Sequence, residues 1–141
     1  MGIRDQNLET AGAVYLTFDI NQTAGVDDLK NVNIGQAVQL TANYKVKAAT
    51  DGVQIIGKLV ALTLTDADNG KRKATIQVGG VMTLPIATTY PVIGNRVVGA
   101  ANGKVKQAPV LGSYDPAGGN IARGTVLAVN GTTDCAVMLN L

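Results

Sequence analysis

The chain contains no histidine and no tryptophan, and only one cysteine, one serine and one phenylalanine. Each shortage removes a class of function. Histidine is the side chain whose ordinary pKa suits proton transfer near neutrality, so its absence excludes every Ser-His and Cys-His nucleophile. Ser113 sits between Gly112 and Tyr114 with no Gly-x-Ser-x-Gly elbow around it and reads as a loop residue. Cys135 has no partner for an intramolecular disulfide and alternates with Val137 and Leu139, so it reads as a small buried hydrophobe. One Phe and four Tyr are too few to build the stacking platforms of single-strand readers. Charged residues make up 16% of the chain, the net charge is +2 and the lysines are scattered, so the electrostatic footprint of a nucleic-acid binder is missing.

No run approaches the roughly 18 apolar residues of a membrane span. The opening Met1-Gly2-Ile3-Arg4-Asp5-Gln6 carries two charges with no apolar segment behind it, and Gln6 breaks the myristoylation pattern. The expectation is a soluble, intracellular product without membrane contact. At 141 residues the chain is one domain long and can bury roughly 70% of its unfolded surface.

What is present is alternation. Apolar and polar residues alternate over short runs separated by Gly, Asn, Asp and Pro, the pattern of a β-sandwich or barrel. Strands are expected at Val14 to Ile20, Gln36 to Thr41, Tyr44 to Ala48, Val81 to Pro85, Arg96 to Val98 and Lys104 to Ala108. One hairpin joins Gly57–Leu64 to Lys73–Val78 across Asp66 to Gly70. A second joins Thr125–Val129 to the segment from Thr132, with Asn130-Gly131 as a type I′ turn.

The chain also repeats itself weakly. Ile34-Gly35-Gln36-Ala37-Val38 answers Ile93-Gly94-Asn95-Arg96-Val97, and Ala42-Asn43-Tyr44-Lys45-Val46-Lys47 answers Ala101-Asn102-Gly103-Lys104-Val105-Lys106. Ile56 to Leu62 answers Ala122 to Ala128, and each half ends in an apolar strand, Ala74–Val78 or Cys135–Leu139. Two such halves, about 34–86 and 93–141, are expected to close on one another within a single β domain, 33–141. Residues 1–32 fall outside the repeat and read as an N-terminal arm. Leu111 to Asn120 reads as an exposed loop.

No motif carries covalent chemistry. Asp66-Ala67-Asp68-Asn69-Gly70 lacks the third acidic ligand of a calcium loop, and Gln77 stands where the closing Glu belongs. Asp27 and Asp28 are adjacent and read as turn or cap residues rather than converging carboxylates. Lys45 with Lys47, and Lys104 with Lys106, place two ammonium groups on one strand face, a solvated face or one that meets an acidic protein surface. Lys71-Arg72-Lys73 is short and reads as a solubilising turn. Gly79-Gly80 lacks phosphate-loop spacing. Catalytic, cofactor and metal residues are therefore expected to be none.

The order Gly-x-x-Val-x-Leu, Ala-Asn-Tyr-Lys-Val-Lys, Ile-Ile-Gly-Lys-Leu-Val-Ala-Leu, Thr-Ile-Gln-Val-Gly-Gly-Val-Met-Thr-Leu-Pro and Gly-Thr-Val-Leu-Ala-Val resembles the capsid decoration, or head cement, proteins of tailed bacteriophages. The resemblance covers about three quarters of the chain, with Val78-Gly79-Gly80-Val81 as a corner without side chains. It implies an all-β fold, a small β-barrel or sandwich that is β-tulip-like, built from two related β units with an extended N-terminal arm. It also implies a structural role on the outer capsid surface of a virion made in the host cytoplasm. The implied partner is the major capsid protein, the implied state a homo-oligomer with a trimer favoured, and no cofactor, nucleic acid or membrane is implied. Within the arm, Arg4, Asp5, Leu8, Val14, Tyr15 and Phe18 are the expected capsid contacts. The competing readings are a tail or fibre module, an oligonucleotide-binding barrel and, last, a hydrolase.

Overall fold

The computed structural model describes residues 9–63, 72–110 and 121–140, and all its regular elements are strands except two single 3₁₀ turns. In chain order the strands are β1 (Val14–Ile20), β2 (Gln22–Thr23), β3 (Val26–Asp27), β4 (Ala37–Ala42), β5 (Lys45–Ala48), β6 (Gly57–Leu62), β7 (Lys73–Pro85), β8 (Val97–Ala100), β9 (Lys104–Gln107), β10 (Thr125–Asn130) and β11 (Asp134–Leu139). The alternation and turn chemistry of the sequence locate nearly all of these. The turn at 66–70 and the loop at 111–120 lie outside the described residues.

Five strands close a barrel. β1 runs parallel to β5, while β5–β4, β4–β6, β6–β7 and β7–β1 are antiparallel, which returns the sheet to its start. Ile20, Leu29, Val38, Val46, Leu59, Ala74, Ile76 and Val78 form its core. Each of its Ile, Leu and Val side chains contributes roughly 1.5–3 kcal/mol when fully buried.

β7 does not stop at the Gly79-Gly80 corner. It is one strand of 13 residues that changes partners there, with Gly80 at φ +89. Its first half pairs with β1 and β6, and its second half pairs with β11, from Gly80 opposite Leu139 to Pro85 opposite Asp134. The buried Gln77 amide spans the step, its Nε2 donating to the carbonyls of Gly79 and Val81 at 3.1 Å each.

That second half opens a second ring with the pairing plan of the first. β7 meets β11, β11 meets β10, Arg123 bridges Val97 at the head of β8, β8 meets β9, and Val105 in β9 bridges Ile86 in parallel. Most pairings of the two rings correspond. Gly35 and Gly94 both take positive φ and donate at 2.8 and 2.9 Å to Leu59 and Val126. The β6–β7 ladder carries its bulge between Leu59 and Ala61, and the β10–β11 ladder between Val126 and Ala128. The parallel pair Ile20 with Val46 is answered by Ile86 with Val105. Core follows core: Ile20, Val38, Val46, Leu59, Ala74 and Ile76 correspond to Ile86, Val97, Val105, Val126, Cys135 and Val137, all buried.

These pairings amend four expectations. β1 matches Val81–Ile86, so Val14–Ile20 is the first strand of the first barrel and belongs to no arm; the strand itself is legible, but sequence similarity is too weak to show that it is part of the repeat. The second half of the repeat moves by one residue, because Gly57 corresponds to Gly124 and not to Arg123. At both glycines a Cβ would strike the opposing strand, at 2.0 Å from the Gln77 carbonyl oxygen and 2.9 Å from that of Met138. The halves also do not close on one another. Each closes on itself, and the barrels stack end to end, with Ala37, Ala49 and Ile55 of the first entering the core of the second. Finally, the β10–β11 hairpin is not a two-residue type I′ turn: Asn130 pairs with Asp134, and of the central residues Gly131 alone takes positive φ. Both positive-φ positions of a two-residue turn occur instead at Ala24-Gly25, between Thr23 and its partner Val26.

Candidate interaction surface

Among the described residues no three His, Cys, Asp or Glu side chains gather where they could hold a metal ion. Cys135 is fully buried in the second core, and burial, with the neighbouring Asp134 charge behind it, pushes its thiol up to about 12. It is a hydrophobe there and not a thiolate. Asp27 and Asp28 brace the Ala24-Gly25 turn. Asp27 accepts from Gln22 Nε2 at 2.8 Å, and Asp28 accepts from Asn21 Nδ2 at 2.6 Å and Thr23 Oγ1 at 2.8 Å. The Asn21 and Thr23 bonds hold the Asp28 carboxyl below its ordinary range. A groove of about 450 Å³ between the end of β11 and the Gly79-Gly80 step is lined by Ala11, Gly12, Gly79, Gly80, Met138, Leu139 and Asn140, none of which ionises. Among the described residues no helix is long and apolar enough to cross a membrane.

What distinguishes the molecule is the outer end of the first barrel. The loop between β5 and β6 crosses the face of β8, where Gly99 donates to the Val53 carbonyl at 2.7 Å and accepts from Gly52 N–H at 2.8 Å. Gly99 has to be glycine, since a Cβ would lie 2.6 Å from the Thr50 oxygen and 2.9 Å from the Val53 oxygen. At Gly103 a Cβ would meet the Gln36 side chain at 2.4 Å. Arg123, the counterpart of Ile56, ties the barrels further, donating through Nη1 to the carbonyls of Ile55 and Ile56 at 3.1 Å each.

The same positions in the first barrel have no such cover. Gly99 corresponds to Leu40, 49% exposed, and Gly103 to Tyr44, 75% exposed. Leu16 pairs with Ile76 and shares its inward face, yet is 50% exposed, whereas its counterpart Met82 is wholly buried. Leu16, Leu40 and Tyr44 are thus exposed where their counterparts in the second barrel are buried or are glycine.

Of the residues expected to make contacts, Arg4, Asp5 and Leu8 lie outside the described residues. Val14 and Phe18 pack against the first core, so their apolar surface is largely used within the fold. Tyr15 is on the surface. Leu16, Leu40 and Tyr44 were missed, although the repeat already set Tyr44 against Gly103, a bulky residue against glycine. Just above the barrel junction the segment before β1 is strapped to β7. Thr10 N–H donates to Val81 O and Val81 N–H to Ala11 O at 2.9 Å each, and Glu9 accepts from Thr83 Oγ1 at 2.6 Å and from Lys58 Nζ at 3.2 Å. Compared with known protein families, characterised proteins and solved structures, the chain matches none.

Proposed function

We propose that the protein is a structural component of a tailed-phage virion that binds the outer capsid surface and cements neighbouring major capsid subunits, acting as a small homo-oligomer with a trimer favoured. The observation that carries this reading is the exposure of Leu16, Leu40 and Tyr44 on the first barrel, at positions that the second barrel buries or keeps as glycine. Exposed apolar surface of this kind marks a contact site. The motif order that resembles head cement proteins supplies the kind of partner, and repeated modest contacts would add by avidity. A tail or fibre module is the second reading, favoured by the end-to-end stacking of two like barrels. Leu40 and Tyr44 oppose it, because they block that stacking from continuing through a further copy.

Co-sedimentation of the purified chain with undecorated capsids of its own phage tests the proposal. Binding that saturates is the expected result, and failure to sediment would overturn it. A truncation that tests the expected contacts Arg4, Asp5 and Leu8 should begin at Glu9, because one reaching residue 32 deletes β1 and with it the first barrel.

A further inference from the structure

The ladder between β4 and β6 is short. It pairs Ala37 with Lys58 and Val38 with Gly57 and ends there, because the chain before Gly57 has turned away toward the second barrel. From Leu40 to Ala42 the edge of β4 that faces away from β5 meets no strand among the described residues, and all three residues are exposed. The matching edge of β8 is filled: beyond the Val97–Arg123 bridge, Gly99 bonds to Gly52 and Val53 through both its N–H and its C=O. The molecule thus carries one strand edge twice, once satisfied by its own chain and once open.

We propose that the open edge of β4 at Leu40 receives an extended segment of the major capsid protein, added as a further strand, with an apolar side chain of that segment lying beside Leu40. This rests on the capsid-binding reading above. The internal copy shows the bonding: one N–H and one C=O at position 40 repeat the pair that Gly99 makes. It also shows what is excluded. The Thr50–Val53 turn reaches Gly99 by passing over a face without a side chain, and Leu40 closes that route. The occupant at Leu40 has to be a straight strand approaching edge-on, which disfavours the corresponding turn of a second copy. Backbone bonds would supply affinity and the Leu40 contact selectivity, as in other cases of strand addition.

Hydrogen exchange on the full-length chain, free and bound to undecorated capsids, tests this. Exchange at Leu40 should be fast in the free protein at every concentration and slow by at least about tenfold on the capsid. Leu40→Gly should weaken capsid sedimentation by about tenfold, while Val110→Gly, at a residue 92% exposed and remote from this edge, should not. Should Leu40→Gly fail to fold by circular dichroism, the wild-type exchange pattern decides alone. Slow exchange already present in the dilute free chain would mean that its own residues cover the edge, and protection that grows with concentration would mean a second copy does; either overturns the proposal. Sedimentation without protection overturns the edge while leaving capsid binding intact, and absence of sedimentation overturns both.

Discussion

Replacing Gly99 by Ala would test whether the two barrels are held together as their contacts indicate. The new Cβ would sit 2.6 Å from the Thr50 oxygen and 2.9 Å from the Val53 oxygen. Both are backbone atoms that no rotamer change can move aside, so the β5–β6 loop must retreat by about half an ångström or more. That retreat strains the 2.7 Å bond from Gly99 N–H to Val53 and the 2.8 Å bond from Gly52 N–H to Gly99. Overpacking costs roughly 1–3 kcal/mol and each weakened bond about 0.5–1.5 kcal/mol, so a loss of about 2–4 kcal/mol is expected. With an m-value near 2 kcal/mol/M in urea, the unfolding midpoint should fall by about 1–2 M. Far-ultraviolet circular dichroism is the suitable probe, as the chain has no tryptophan. Gly25→Ala is the control: unlike Gly99 it has positive φ, but nothing lies within 4 Å of the added Cβ, so backbone strain of about 1 kcal/mol is all it should show. If Gly99→Ala shifted the midpoint no more than Gly25→Ala, the close approach of the barrels would be refuted.

Equivalent positions should respond unequally where only one is covered. Met82→Ala should cost about 2–5 kcal/mol and Leu16→Ala under about 1 kcal/mol, both read from urea midpoints. Glu9 should make stability pH-dependent: burial raises its pKa, but bonds from Thr83 and the Lys58 charge outweigh it and hold the carboxyl below its ordinary value. Because the folded pKa is the lower one, this stabilisation is full above the unfolded value and fades as pH falls through the folded one. The stabilities of wild type and Glu9→Gln, read from melting curves, should therefore differ near neutrality by no more than about 1 kcal/mol for so exposed a pair, and converge in acid. Cys135 should resist alkylation at pH 8 in the native protein and react once unfolded; modification at native rates would contradict its burial.

The strands were legible because a half-buried strand writes its burial into period-two alternation, and Val14–Ile20, Lys104–Gln107 and the two long hairpins stand out that way. The repeat was visible where turn residues recur, as at Ile34-Gly35 and Ile93-Gly94. It was invisible between Tyr15–Ile20 and Val81–Ile86, which share identity only at the Thr17/Thr83 and Ile20/Ile86 positions. Their equivalence lies in which partners they pair with, and the main ones lie about fifty to sixty residues downstream. Alternation is local, whereas ring closure depends on distant partners, so the strands could be read and the two barrels could not. The exposed end was hidden for a related reason. Leu16 and Leu40 have the pattern of inward-facing residues, and only the absence of a neighbouring barrel leaves them exposed.

The shared strand imposes an order on synthesis. As the chain leaves the ribosome, β1 has only the short β5 pairing at Asp19 and Ile20 until Lys73–Gly79 has been made, and the second half of β7 waits again for Asp134–Leu139. For most of translation the nascent chain therefore carries one apolar strand without its partner, the state most open to misassociation. The strap at Glu9–Ala11 is made first, and it can cover the other edge of β7, away from β11, at Val81–Thr83 as soon as that edge emerges.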